Sequence, residues 1–346
     1  MKAAIFKGKG TIEVGQRPDP QIKNPTDAIV RVVRGCVCGS DLWYYRGINQ
    51  HKVGSIGHEY VGVVEAVGSD VKDLAEGDFV IAPFTFSDGT CPACQAGVQS
   101  NCVRGGAFGD GEIDGGQGEK VRAPFADATL VKVPGSDFTD EQLASFTALS
   151  DVMCTGYHAA VSAGVKEGDT VAVVGDGAVG LSGVLSANKL GASRIIVLSR
   201  NPARQAVAKE FGATDIVEER GDEAIEAVTR LTDGAGVDAA LECVGTDQSI
   251  ETAAGITRAG GMIGAVGVPL YENFRYQSLF WKNVGIRGGV APARQYIPEL
   301  LDDVLAGRIN PGLVFDYTPD LDHVSQAYAA MDERRAIKSL LDISQP

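Results

Sequence analysis

This sequence reads as an α/β protein: a doubly wound parallel sheet in the middle of the chain, with a second, mostly β domain built from the two ends. Three observations carry that reading. From about residue 151 apolar strands alternate with helix-like stretches. The first 150 residues run instead through β-branched segments bounded by Gly, Asp and Pro. A glycine-spaced turn, Gly175-Asp176-Gly177-Ala178-Val179-Gly180, follows the first strand of the alternating part. A chain of 346 residues has room for about two domains.

In chain order, Ala28 to Val33 and Tyr60 to Val67 are strand-like runs rich in valine and isoleucine. Phe84 to Gly118 is a long, glycine-rich polar stretch that holds three cysteines and needs a staple to stay compact. Thr170 to Val174 is a buried-type strand, and the helix-like Leu181 to Leu190 follows the glycine-rich turn after it. Arg194 to Leu198 is the next strand and Pro202 to Phe211 the next helix. Val237 to Glu242 and Gly261 to Val266 continue the alternation, which stops near 290, where Gln295 to Ala306 begins a mixed tail. The expected domains are therefore 1–150 with 287–346, and 151–286.

Composition narrows the function. The net charge of −14 would repel a polyanion or an anionic bilayer, so nucleic acid and membrane are poor partners. No apolar run approaches the roughly 18 residues of a membrane span, and charge returns too soon after Met1 for a signal peptide. The expectation is a cytoplasmic protein. Its seven cysteines are odd in number and clustered, which favours metal binding or catalysis over a disulfide framework.

The glycine turn has a strand before it and a helix after it, the setting a dinucleotide site requires. Gly175 permits the turn, Gly177 lets the backbone approach a pyrophosphate, and Gly180 lets helix and strand pack closely. Ala178 and Val179 then open a helix whose free N–H groups face the phosphates. In the first domain, Cys38 and His58, with Glu59 beside them, are zinc-type ligands in loops, and a catalytic zinc needs three protein ligands and one open position.

Five motifs occur in a fixed order: Cys38-Gly39-Ser40-Asp41, then Gly57-His58-Glu59-Tyr60-Val61-Gly62 with Gly68, then Asp151-Val152-Met153-Cys154-Thr155-Gly156-Tyr157, the glycine turn, and Ala336-Ile337-Lys338. On these motifs the whole chain resembles the zinc-dependent medium-chain alcohol dehydrogenase family. The resemblance implies a Rossmann domain joined to a GroES-like catalytic domain, with the active site in the cleft. It implies a catalytic zinc on Cys38, His58 and Asp151, with Glu59 as an exchangeable ligand and Asp41 orienting His58. Cys154 does not occupy the ligand place. Ser40 resembles the hydroxyl that takes the alcohol proton, while Trp43 stands where many relatives end the relay on His. Thr155, Val266 and Lys338 are implied cofactor contacts. Trp43, Tyr44, Phe108, Tyr271 and Trp281 are candidate pocket walls, and a homo-oligomer, dimer or tetramer, is expected.

Relatives often hold a structural zinc on four cysteines. The matching residues here are Asp88, Cys91, Cys94 and Cys102, and three thiolates with one carboxylate can still fill a tetrahedral zinc shell. For the cofactor, an NAD enzyme of this fold sets an acid at the end of the second strand of the nucleotide domain. This strand ends in Ser199-Arg200, with Arg204 one turn on and no acid at its tip, so NADP(H) is expected. The reading is a hydride transfer between NADP(H) and an alcohol or its aldehyde or ketone. A zinc-free quinone or enone reductase on the same fold would not need Cys38, His58 and Asp151 together. A non-catalytic nucleotide sensor would be expected to have lost a ligand or Ser40.

Overall fold

The computed structural model describes residues 1–111 and 113–345. The chain forms two compact units, one joining Met1–Asp151 to Pro292–Pro346, the other comprising Val152–Ala291. The expected return to the first domain at 287 would cut the strand Gly285–Gly288. Its parallel ladder to Thr257–Ala265, with Ile263 opposite Ile286, keeps it in the second unit.

In the first unit the strand Ala28–Cys36 is the organising element. It is buried along nearly its whole length, and its Arg34 is buried while paired with Asp140 and Asp342. The strand Tyr60–Val67 pairs antiparallel along one side, with Tyr60 opposite Gly35. The C-terminal strand Lys338–Asp342 pairs antiparallel as well, with Leu340 opposite Cys36. These two registers bring the segments around residues 36–38, 58–60 and 338 to one end of the sheet. Val30, Val32, Tyr60, Val64, Val80 and Phe108 form the core beneath it.

The stretch expected as a loop from Phe84 to Gly118 contains short elements. Thr85 pairs with Ala107 and Phe86 with Gly106, and between these rungs lie the helix Pro92–Gln95 and a 3-10 turn at Gln99–Asn101.

The second unit holds a six-stranded parallel sheet in the spatial order Asp215–Val217, Arg194–Leu198, Thr170–Val174, Val237–Glu242, Thr257–Ala265, Gly285–Gly288. The helices Ala178–Lys189, Pro202–Glu210, Asp222–Leu231 and Asp247–Ile256 connect the strands. This is the order of a dinucleotide-binding doubly wound fold, in which ligands sit at the carboxyl ends of the strands, where the order reverses. Among the described residues no helix is long and apolar enough to cross a membrane.

Candidate active site

His58 follows Gly57, whose φ of +87° and close approach to Gln117 leave no room for a side chain. A Cβ there would lie 2.5 Å from Gln117 Cγ. This glycine swings the chain so that His58 and Glu59 enter the end of the strand Tyr60–Val67. Cys38 follows the central strand, and Asp151 lies between the helices Asp140–Leu149 and Val152–Ser162. Ligand atoms of Cys38, His58, Glu59 and Asp151 all lie within 4.8 Å of one another. His58 Nε2 is 3.4 Å from Asp151 Oδ2 and 3.9 Å from Glu59 Oε1, and Cys38 Sγ is 3.7 Å from Asp151 Oδ2. One sulfur, one imidazole nitrogen and two carboxylates form a donor set that fits zinc. Glu59 Oε1 is buried without a hydrogen-bond partner, an orphan that a cation would satisfy.

The surrounding residues fix this cluster. Asp41 Oδ1 lies 3.6 Å from His58 Nδ1, while its Oδ2 accepts from the Cys38 backbone N–H at 3.0 Å. Gln117 donates to Asp41 Oδ2 and to the Cys36 carbonyl, and its Oε1 accepts from the Tyr328 hydroxyl at 2.9 Å. Lys338 Nζ pairs with Glu59 Oε2 at 2.7 Å and donates to the Val37 carbonyl at 3.0 Å. The Cys36 thiol also donates to Glu59 Oε2. Lys338, expected at the cofactor, is thus engaged inside the first unit, because its strand delivers it beside Cys36.

Electrostatics follow from this crowding. Burial disfavours a charged His58, yet Cys38, Asp41 and Asp151 outweigh it and raise its basicity well above the ordinary imidazole range. Burial lifts the Cys38 thiol, and Glu59 lifts it further. Burial also opposes a charged Lys338, but Cys36 and Glu59 hold it as an ammonium. In the absence of a cation Cys38 and His58 hold protons that a divalent metal would displace.

In the second unit, the glycine turn joins the strand Thr170–Val174 to the helix Ala178–Lys189. A Cβ at Gly180 would lie 2.0 Å from the Gly175 carbonyl oxygen, so this position needs glycine. A Cβ at Gly177 would meet nothing within 4 Å, and no side chain caps the helix there. An open backbone cradle at an uncapped helix N-terminus fits a pyrophosphate.

Residues 24–135 match the alcohol dehydrogenase GroES-like domain family, and residues 178–306 match the zinc-binding dehydrogenase family. A probable zinc-binding alcohol dehydrogenase of Mycobacterium tuberculosis is 32% identical over 338 residues, covering 96% of this chain and 86% of the relative. Among solved structures, the alcohol dehydrogenase TADH from Thermus sp. ATN1 superposes with a TM-score of 0.91 at 35% identity, covering 99% of this chain and 100% of the other. The apo form of zinc-dependent alcohol dehydrogenase 2 of Streptococcus pneumonia gives a TM-score of 0.90 at 30% identity, covering 100% and 99%. The chain belongs to the zinc-dependent medium-chain dehydrogenase family.

This dehydrogenase carries a second candidate metal cluster. Ligand atoms of Asp88, Cys91, Cys94 and Cys102 also lie within 4.8 Å of one another. Cys91 Sγ is 3.6 Å from Cys94 Sγ and 3.8 Å from Cys102 Sγ. Backbone N–H groups at Cys94 and Val103 draw the Cys91 thiol down to about 7, while burial pushes Cys94 up to about 12. Asp88 does more than face the sulfurs. Its Oδ1 accepts from the backbone of Thr90 and Cys91, and its Oδ2 pairs with Arg104 at 2.7 Å.

The remaining candidates of the dehydrogenase fall as follows. Ser40 precedes the helix Asp41–Tyr45 and its hydroxyl is not used as a cap. Thr155 lies on the helix Val152–Ser162, and so does Cys154, which is fully buried and outside the four-residue cluster. Val266 follows the strand Thr257–Ala265 and donates its N–H to the Glu242 carbonyl. Arg200 is exposed. Ser199 and Arg204 both bind the Asp176 carboxylate, at 2.8 and 3.1 Å. The expectation of no acid at this strand end therefore needs correcting: Asp176 arrives there from the glycine turn, because the two strands lie side by side.

Of the expected pocket walls, Phe108 is a core residue, 2% exposed and wedged between Tyr60 and Phe86. Trp281 is 80% exposed beside Phe280, and Tyr271 packs on the core of the nucleotide unit. The Tyr44 ring lies tilted against His51 at 4.6 Å, and Trp43 is half-buried. The residues that sequence reasoning missed are Gln117, Tyr328, Cys36 and Asp176. The first three carry no motif, and Asp176 was masked by its place inside the glycine turn.

Proposed function

We propose that this chain is a zinc-dependent alcohol dehydrogenase that moves hydride between NADP(H) and an alcohol or its aldehyde or ketone. The observation that carries the proposal is the convergence of Cys38, His58, Glu59 and Asp151, a complete donor set from three separate segments. Alcohol dehydrogenase relatives along the whole chain support the same reaction class. In this reading Cys38, His58 and Asp151 hold the catalytic zinc, and Asp88, Cys91, Cys94 and Cys102 hold a structural one.

Zinc supplies Lewis acidity to the substrate oxygen, and the nicotinamide gives or takes the hydride. The chain's own residues do the rest. Asp41 and Gln117 hold the His58 ring, as carboxylate and amide partners do for metal-bound imidazoles. Lys338 restrains Glu59 at one oxygen and leaves the other toward the metal cluster. The Ser40 hydroxyl accepts the alcohol proton, and with Trp43 in place of a histidine the proton leaves by a route without that imidazole. Gly175, Gly177, Ala178, Val179 and Gly180 cradle the pyrophosphate. Thr155 and Val266 position the nicotinamide half, and Ser199, Arg200 and Arg204 meet the adenosine end.

The NADP(H) preference rests on Arg200 and Arg204, since guanidinium groups donate paired, charge-assisted hydrogen bonds to phosphate. Assembly into a homo-oligomer is supported by the edge strand Gly285–Gly288 and by Tyr276, Phe280 and Trp281 near it, which are 63%, 57% and 80% exposed. Clustered metal-binding thiols suit the reducing cytoplasm. Zinc analysis combined with NADPH oxidation against a carbonyl panel tests the reaction, and a zinc-free protein that reduces enones would refute it. Sedimentation at the monomer mass of 36.2 kDa would refute the oligomer.

A further inference from the structure

We propose that Asp176 sets how strongly this chain discriminates NADP(H) from NAD(H), by competing with the cofactor's 2′-phosphate for Ser199 and Arg204. The inference rests on the reading that this strand end meets the adenosine ribose.

Sheet register creates the arrangement. The strand Thr170–Val174 pairs in parallel with Arg194–Leu198, and Val174 is opposite Leu198. Both chains turn immediately after that rung. Gly175, with φ +116°, carries one chain into the glycine turn, and Asn201 caps the helix Pro202–Glu210 on the other. Asp176 therefore lies beside Ser199, although 23 positions separate them.

The Ser199 hydroxyl donates to Asp176 Oδ2 at 2.8 Å, and Arg204 Nη1 donates to Oδ1 at 3.1 Å. Ser199 is 3% exposed, and the Arg204 and Asp176 side chains are 15% and 19% exposed. Solvent screens charges at such a site only in part. The carboxylate and the Arg204 guanidinium form a pair with no net charge, which leaves exposed Arg200 as the nearby cation not committed to Asp176.

Two cofactors meet this triad differently. A 2′-phosphate, dianionic or nearly so, gains Ser199 and Arg204 only by taking them from Asp176, and it then faces a carboxylate of like charge. A ribose 2′-hydroxyl is a neutral donor, and the same carboxylate can accept from it. Asp176 thus weakens the grip on NADP(H) and supports NAD(H). The arginines pull the other way, and the balance gives a chain that uses both cofactors with a tempered preference.

The test compares 2′,5′-ADP with 5′-AMP by calorimetry, because the pair differs only in the 2′-phosphate. Wild type, Asp176→Asn, Asp176→Ser and Arg200→Ala are measured, with kcat/KM for NADPH and NADH alongside. Asparagine keeps an acceptor for Ser199 and Arg204 but removes the charge, and the serine variant guards against an effect peculiar to the amide. The expected result is at least a tenfold gain for 2′,5′-ADP relative to 5′-AMP in both Asp176 variants, matched by the kcat/KM ratio. An unchanged ratio would overturn the proposal. So would a fall, which would mean that Asp176 holds Arg204 ready for the phosphate. Unchanged 2′,5′-ADP binding in Arg200→Ala would instead sink the NADP(H) reading of the strand end, an outcome independent of the shift in the Asp176 ratio.

Discussion

Glu59 and Lys338, from opposite ends of the chain, form a 2.7 Å ion pair with side-chain exposures of 0% and 1%. The pair exists because the C-terminal strand lies against Ala28–Cys36, whose other neighbour carries Glu59 at its start. Glu59 is left with one restrained oxygen and one buried oxygen that has no hydrogen-bond partner.

Removing the ammonium would strand a buried carboxylate in the metal cluster. Lys338→Met should therefore destabilise the first unit by about 3–5 kcal/mol, in line with broken buried ion pairs. It should also loosen zinc retention, while Lys338→Arg restores much of both. Chemical denaturation and zinc content after dialysis measure the two effects. Wild-type stability in Lys338→Met would contradict this role.

Asp151 rather than Cys154 should complete the catalytic zinc site. Asp151→Ala is expected to lose one zinc per chain and to lower kcat by several orders of magnitude, since metal polarisation contributes several kcal/mol to such reactions. Cys154→Ala should keep the zinc and most of the activity. The assignment fails if the two variants exchange outcomes in elemental analysis and steady-state kinetics.

Much of the fold was legible in the sequence because strands buried on both faces leave continuous apolar runs. Thr170–Val174, Arg194–Leu198 and Val237–Glu242 stand as the sequence reading had them. The helices Asp222–Leu231 and Asp247–Ile256 were not identified from the pattern, the second being rich in small residues that blur a helical stripe. The residues that converge as candidate metal ligands were legible through motifs. Its support was not, because Gln117 and Tyr328 reach Asp41 across long sequence separations that only strand register closes. Asp176 and Lys338 teach the same lesson from the other side. Each sits in a recognisable motif, but its partner is set by which strand lies alongside.

The cysteine loop should carry its own zinc, giving two per chain. Asp88 is tied to Arg104 and to two backbone N–H groups, so it is fixed in place beside the three sulfurs before any metal arrives. Cys94→Ser should reduce the zinc count from two to one, and Asp88→Ala should weaken retention of the same ion. Elemental analysis with thiol labelling reads both. One zinc in the wild type, with Cys91, Cys94 and Cys102 open to alkylation, would contradict the second site.

The central claim is that Cys38, His58 and Asp151 hold a zinc that the reaction requires. The most direct measurement is NADP⁺ reduction with an alcohol substrate, before zinc removal by chelation, after it, and after stepwise return of zinc. Activity should vanish with the catalytic ion and return in proportion to its occupancy, with Asp151→Ala remaining inactive throughout. Full turnover by protein that elemental analysis finds free of metal would contradict the account.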